Sequence, residues 1–371
     1  MTQVANSRRV LFILGELTHS GLEKMLEASA GLWQAAGLQP HILAIGAKPG
    51  DFAPRLEACG YTLHHIPFAR SPRFVAALLA FHRRHGFEIV HIHTEQAAFW
   101  HALAARLARS DTRLFRTVHA VFRFDGLLRW RRLLQRWLMR HLLHVGFTAP
   151  SPSVAEHEAA IFRNPMPVLP NWLSLQPPFT PEWRAEARSA LAIDDATFVI
   201  ASVGNCEDTK NHRALLEALA ALPGDRPWLY LHVGSSAEEA GEQALAARLG
   251  IAGRCRFLGR RPAAEIFAAA DLFAMPSKQE GFGLAAAEAL SMGLPCVLSD
   301  VPGLRDFSPY AAAISWCDPQ SPATIAAAIL ARLQAPQRYP AIAGQIRNAL
   351  AADAGVRRFI TLYAGHSSQD T

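Results

Sequence analysis

The sequence predicts an α/β protein of two successive domains, each a parallel β-sheet with helices on both faces. Three observations carry that expectation. The chain has 371 residues, enough for two domains that each bury a core of their own. Short, almost continuously apolar runs alternate with segments of helical periodicity along its whole length, as expected of strands covered on both faces. A proline-rich polar stretch, RNPMPVLPNWLSLQPPFTPEW at residues 163 to 183, interrupts the alternation near the middle and reads as a linker.

In the first half RRVLFILG reads as a strand, LEKMLEASAGLWQAAG as a helix and PHILAIG as the next strand. FEIVHIHT, RLFRTVH and HVGFTAPS continue the series, with the helix AAFWHALAARLARS and a basic helix at residues 126 to 142 between them. In the second half ATFVIASVG, WLYLHVG, RCRFLG, DLFAMPS, PCVLSD and AAAISW are short apolar runs separated by helical segments. A last helix is expected from Pro340 to Tyr363, with no strand after it. These signals place the domains at residues 1–170 and 171–345, with 346–371 a helix and tail packing back toward the first.

Composition narrows the function classes. Hydrophobic residues make up 50% of the chain and charged residues 18%, which is globular, and no apolar run reaches the ~18 residues of a membrane span. The N-terminal MTQVANSRRVLFILGEL lacks a small-residue cleavage pattern and runs into a strand, so a cytoplasmic protein is expected. The net charge of +6 favours anionic partners. Nucleic acid is not expected, because no recognition module accompanies the charge. The basic helix, GLLRWRRLLQRWLMRHLLH, carries Arg129, Arg131, Arg132, Arg136 and Arg140 beside Trp130 and Trp137. It reads either as a core helix with a solvated basic face or as a contact with an anionic membrane surface at the inner leaflet.

Five cysteines, Cys59, Cys206, Cys255, Cys296 and Cys317, show no CxxC spacing and read as small core residues rather than a disulfide framework or zinc site. His91 and His93 in HIH are expected on opposite faces of their strand, which argues against joint metal ligation. No Asp-x-Asp motif is present, so no bound metal is expected and no cofactor is implied.

The stretch SKQEGFGLAAAEALSMGLPCVLSD, residues 277 to 300, is the most informative. It puts glycines between the end of a buried strand and the start of a helix bounded by Gly283 and Gly293. Such a junction offers unpaired backbone N–H groups and the positive end of a helix dipole, both suited to a phosphate. Glu280 stands on the loop, and Glu288 lies little more than one turn into the helix, able to accept from sugar hydroxyls. Taken singly, each glutamate also fits an ordinary place, one favoured by the dipole and the other on a solvated helix face.

With VGNCEDTKNHRALLEAL, LHVGSS and RCRFLGRRPAAE preceding it, the second half resembles the donor-binding domain of GT-B glycosyltransferases of family four, retaining enzymes that use nucleotide sugars. SGLE, FEIVHIH, RTVH and LPNWLS resemble motifs of that family's first domain, so the likeness covers nearly the whole chain. The resemblance implies two Rossmann-like domains facing a central cleft. It implies that Glu288 binds ribose, that Glu280 lies near the transferred sugar, and that Gly281, Phe282, Gly283 and Leu284 present backbone to sugar and diphosphate. It assigns Gly204, Asn205, Gly259 and Arg260 to the donor, Lys210 to the diphosphate charge, His119 to the reacting centre, and Ser20 with Gly21 to the acceptor-side loop.

Three features depart from that pattern. Asn205 stands where arginine is usual, removing a bidentate phosphate ligand. Where two glycines usually precede a glutamate, Ser20 and Gly21 precede Leu22 and Glu23, and Asp306 stands near the usual position of a glutamate. The resemblance implies transfer, with retention, of a hexose-type sugar from a nucleotide diphosphate to a hydroxyl on a glycan or lipid-linked acceptor, in cell-surface glycan or glycolipid assembly. A nucleotide-sugar epimerase of similar fold and a non-catalytic nucleotide-sugar-binding scaffold are the alternatives.

Overall fold

In a computed structural model, residues 8–224, 226–235 and 238–365 are described. The chain divides into two compact units, one of Met1–Ser174 with Leu350–Thr371 and the other of Leu175–Ala349. The sequence placed the divisions at 170 and 345, a few residues earlier.

The N-terminal unit contains β1 (Arg8–Leu14), α1 (Gly21–Ala35), β2 (Leu38–Ala44), α2 (Ala53–Ala58), β3 (Thr62–His65) and α3 (Pro72–His85). It continues with β4 (Ile89–Ile92), α4 (Ala98–Ala108), β5 (Arg113–Thr117), α5 (Gly126–His141), β6 (Val145–Thr148) and α6 (Pro152–Phe162). The strands form one parallel sheet in the order β3-β2-β1-β4-β5-β6. β1 is apolar from Val10 to Leu14 and fully buried there, which explains its central place. Ser20 caps α1 by accepting from Leu22 N at 3.2 Å, a contact worth about 1 kcal/mol.

The C-terminal unit contains α7 (Pro181–Ala190), β7 (Phe198–Val203), α8 (His212–Ala220), β8 (Trp228–Val233), α9 (Glu239–Arg248), β9 (Cys255–Phe257) and α10 (Ala263–Ala269). It continues with β10 (Leu272–Met275), α11 (Leu284–Ser291), β11 (Cys296–Ser299), β12 (Ile314–Cys317), α12 (Pro322–Gln334) and α13 (Pro340–Ala349). Its parallel sheet has the order β12-β11-β10-β7-β8-β9. Read from the other edge, the two orders are the same doubly wound pattern.

The single helix expected from Pro340 to Tyr363 is two helices, α13 and α14 (Ala352–Gly365). The break at Leu350 and Ala351 has a tertiary cause: Leu173 N donates to Leu350 O at 2.9 Å, and Leu173 bridges Ala351. α14 belongs to the N-terminal unit, where Val356, Phe359 and Tyr363 join Trp33 and Trp172 in one apolar core. Gly355 lets the helix lie against Trp172, because a Cβ there would stand 2.4 Å from the indole.

The basic helix α5 does not show the solvated basic face of the first of its two readings. Arg136 is buried and pairs with Glu158 at 2.7 Å, Arg132 reaches Glu95 at 3.3 Å, and Arg140 donates to Asn164 Oδ1 at 2.6 Å. Arg116 on β5 also pairs with Glu95. Removing one partner from such a buried ion network costs about 3–5 kcal/mol. The outer face is instead apolar: Leu127 is 89% exposed, Trp130 69%, Leu134 54% and Trp137 51%. Only Arg129 and Arg131 of the five arginines are exposed, so there is no solvated basic face of the kind expected. No helix among the described residues is long and apolar enough to cross a membrane.

Candidate functional site

In the C-terminal unit the strand order reverses at β7, which has β8 on one side and β10 on the other. Open α/β sheets bind ligands outside the carboxyl ends of strands at such a point. The loop after β7 carries Asn205, Cys206 and Lys210, and the loop after β10 carries Glu280 to Gly283. Lys210 Nζ donates to Glu280 Oε1 at 2.6 Å, joining residues seventy positions apart. The lysine side chain is 26% exposed and the glutamate side chain 10%, so the pair is sheltered yet reachable.

Local geometry explains the pairing. Gly204 has no side chain, and a Cβ there would lie 3.5 Å from Cγ and Cδ of Lys210, so the lysine stem runs along the glycine. Asn211, in the left-handed region at φ 61°, donates from Nδ2 to Pro276 O at 3.0 Å and Pro319 O at 2.7 Å. These bonds tie the Lys210 loop to the loops after β10 and β12. Lys278 N donates to Thr209 O at 2.8 Å and closes the same junction.

The glycines at the start of α11 are required by their backbone. Gly283, at φ 77°, precedes the first helical residue Leu284, and a Cβ would stand 2.6 Å from Leu304 Cδ2. Gly303, at φ 85°, passes so close to the Glu280 carbonyl that a Cβ would lie 2.5 Å from its oxygen. Phe282 packs on Phe307 at 5.7 Å between ring centroids. The first-turn N–H groups of α11 therefore open onto the loop that holds Glu280. Glu288 lies half-buried five residues into this helix when counted from Gly283. Gly259 and the exposed Arg260 follow β9, the edge strand two places from β7.

In the N-terminal unit His91 and His93 lie on one face of the strand end, with stacked rings 4.2 Å apart. This corrects the expectation of opposite faces, since residues two apart in a strand point the same way. His93 Nδ1 lies 2.8 Å from His119 Nε2. His91 is held by Tyr363 Oη at 2.6 Å and Thr117 Oγ1 at 2.8 Å. Burial, with a smaller effect from Arg116, pushes His119 down to about 4, and burial holds His91 and His93 well below the usual imidazole value. The row is therefore neutral at pH 7. His93 Nε2 is buried without a hydrogen-bond partner.

At the start of α1 the Ser20 hydroxyl also pairs with the Glu23 carboxylate, which accepts from Thr18 N at 3.3 Å. Ser20 is thus engaged in capping, and Gly21 opens the helix. Sequence reasoning missed His93 as a companion of His119, although its two-residue spacing from His91 signals the shared face. It also missed Cys206, His212, His232 and Glu242, whose ligand atoms all lie within 4.8 Å of one another. Four separate elements supply them, so no short spacing reveals the group.

Residues 184–348 match the family described as Glycosyl transferases group 1, and residues 19–176 match Glycosyltransferase Family 4. EpsF of Bacillus subtilis (strain 168) is 27% identical over 320 residues, 80% of each chain. The D-inositol 3-phosphate glycosyltransferase of Mycobacterium sp. (strain KMS) is 41% identical over 131 residues, which is 34% of this chain and 30% of that one. Among solved structures, Anabaena Alr3699/HepE in complex with UDP and glucose superposes with a TM-score of 0.81 at 18% identity, covering 97% of this chain and all of that one. WaaG, a glycosyltransferase involved in lipopolysaccharide biosynthesis, gives 0.71 at 17%, covering 96% of this chain and all of that one. These likenesses establish the fold, and with each half of the chain matched to a glycosyltransferase family, the C-terminal half to group 1, the protein is a glycosyltransferase of GT-B type.

Proposed function

We propose that the chain transfers a hexose-type sugar, with retention, from a nucleotide diphosphate to a hydroxyl on a glycan or lipid-linked acceptor. The carrying observation is the Lys210–Glu280 pair at 2.6 Å, set at the ends of β7 and β10 beside the N-terminus of α11. Negative charge on the leaving diphosphate grows as the sugar–phosphate bond breaks. A preorganised ammonium and helix N–H groups stabilise that charge more in the transition state than in the ground state. Glu280 then accepts from hydroxyls of the transferred sugar, and Glu288 from those of the ribose. His119, kept neutral by its surroundings, orients a hydroxyl without adding charge.

In this reading the diphosphate needs no bridging magnesium or manganese, because Lys210 and α11 supply the countercharge. The leaving diphosphate departs from the face on which the acceptor enters, and one of its oxygens takes the acceptor proton. The UDP and glucose bound by the Anabaena structure support a nucleotide-sugar donor, and WaaG's involvement in lipopolysaccharide biosynthesis supports a glycan acceptor. The test is product analysis by NMR with a panel of nucleotide sugars and no added divalent metal, with and without acceptor extract. The proposal expects a glycosylated product of unchanged anomeric configuration. Interconversion of the donor sugar without acceptor would establish an epimerase, and tight donor binding without any product a scaffold.

A second reading concerns location. The exposed stripe Leu127, Trp130, Leu134 and Trp137, flanked by exposed Arg129 and Arg131, fits the interface of an anionic bilayer, where indoles enter the headgroup layer and guanidinium groups meet lipid phosphates. It would hold the enzyme at the inner face of the membrane, beside lipid-linked acceptors.

A further inference from the structure

The geometry points to a structural zinc site in the C-terminal unit, formed by Cys206, His212, His232 and Glu242. It stands on the geometry of that unit alone and does not depend on the donor assignment. The four residues come from the loop after β7, the start of α8, the end of β8 and α9, and their ligand atoms lie within 4.8 Å of one another. Cys206 Sγ is 3.3 Å from His232 Nε2, and His212 Nδ1 is 3.0 Å from Glu242 Oε1. Zinc bonds of about 2.0–2.3 Å in a tetrahedron put neighbouring ligand atoms roughly 3.2–3.7 Å apart, so both contacts are close to such edges.

The donor set also fits in charge and in its surroundings. Two neutral imidazoles, a thiolate and a carboxylate around Zn2+ sum to zero, which lets the site be buried without an uncompensated ion. Cys206, His212 and His232 are buried, and the second oxygen of Glu242 is buried without a hydrogen-bond partner. The other ring nitrogen of His232, Nδ1, lies 3.3 Å from Tyr230 Oη. When Nδ1–H donates to that oxygen, Nε2 is left with its lone pair to bind, as with the outer partners of metal-bound histidines. Binding replaces the thiol proton of Cys206 and releases it to solvent.

Cys206 and His212 bracket Lys210 in sequence, so the metal would clamp both ends of the loop that carries the lysine to β8 and α9. Its effect on transfer rests on the proposed donor site, whereas its existence does not. Metal content separates the two. The full chain, freed of any affinity tag and loaded with zinc, should retain about one equivalent through gel filtration, and zinc but not magnesium should raise the Tm of the stripped protein. Cobalt(II) in its place should show the intense visible bands of a tetrahedral site and a thiolate charge-transfer band. Cys206→Ser should lose that band, and His232→Gln should lose zinc retention. Negligible zinc uptake by wild type, a cobalt spectrum lacking the thiolate band, or unchanged retention in folded Cys206→Ser and His232→Gln would each overturn the site. If both variants fail to fold, the wild-type cobalt spectrum and zinc equivalence still decide.

Discussion

The two sheets share one strand order, yet their carboxyl ends carry opposite chemistry. The C-terminal unit presents an ion pair, Lys210 with Glu280, beside a helix N-terminus. The N-terminal unit presents the neutral row His91, His93 and His119. Under the proposed function, one end receives a group that is already charged and develops more charge, and the other orients hydroxyl groups without ionising them. Residues at and just beyond the strand ends make that difference, because the central strands beneath are alike in being buried and largely apolar.

The largest expected effect removes the cation. Lys210→Ala should lower turnover by on the order of a hundredfold or more, with a smaller loss of nucleotide affinity, since a charge-assisted contact strengthens as the bond breaks. Steady-state rates together with calorimetry read both quantities. Unchanged turnover would remove the diphosphate from this pair.

Glu288→Ala sharpens the division of labour within the charged end. Nucleotide diphosphate affinity should fall about tenfold, as expected for loss of roughly 1.5 kcal/mol of hydrogen bonding to ribose. Glu280→Ala should instead slow transfer more than it weakens the nucleotide. Equal calorimetric affinities for wild type and Glu288→Ala would exclude the ribose role.

Acid should separate the units. Burial holds His41, His64, His82 and His119 near 4 and His101 near 3, against an ordinary value of 6.5, and all lie in the N-terminal unit. Between about 4 and 6.5 the unfolded chain binds more protons at these sites than the native one. Stability contributed by the neutral rings is therefore full above 6.5 and declines as the pH falls through that window. Hydrogen exchange at pH 5 should show greater loss of protection in N-terminal peptides than in those of the C-terminal unit, where His232 has the same sign. Equal loss in both would break the comparison.

The smallest effect belongs to the surface of α5. Arg129→Gln with Arg131→Gln should reduce binding to anionic vesicles by a few fold at low salt, because each basic residue near such a surface contributes about 1 kcal/mol and screening weakens it. Trp130→Ala should reduce it at any salt concentration. Binding indifferent to both changes would leave the stripe to some other contact.

The parallel sheets were legible because their strands are apolar runs of strand length. The edge strand β3, TLHH, was not, since it is half-exposed and carries two histidines. The break between α13 and α14 contains no glycine or proline, and a backbone contact from Leu173 makes it. The inward arginines of α5 were partly readable: Arg132, Arg136 and Arg140 are spaced by four, while Leu127, Trp130, Leu134 and Trp137 form the opposite stripe. Their carboxylate partners, Glu95 and Glu158, lie too far away in sequence to be inferred. The Lys210–Glu280 pair has the same limitation, and its two members came from motif resemblance rather than periodicity.

The return of α14 to the N-terminal unit has a consequence for the order of synthesis. Tyr363, whose hydroxyl holds His91, and Phe359, which packs on Trp172, are translated only after every residue of the C-terminal unit. The first-made unit is therefore the last that can complete its core, while the second-made unit has all its strands and helices on the nascent chain beforehand. A chain ending at residue 349 would hold every element of the C-terminal unit but leave Trp33 and Trp172 of the N-terminal unit without their cover.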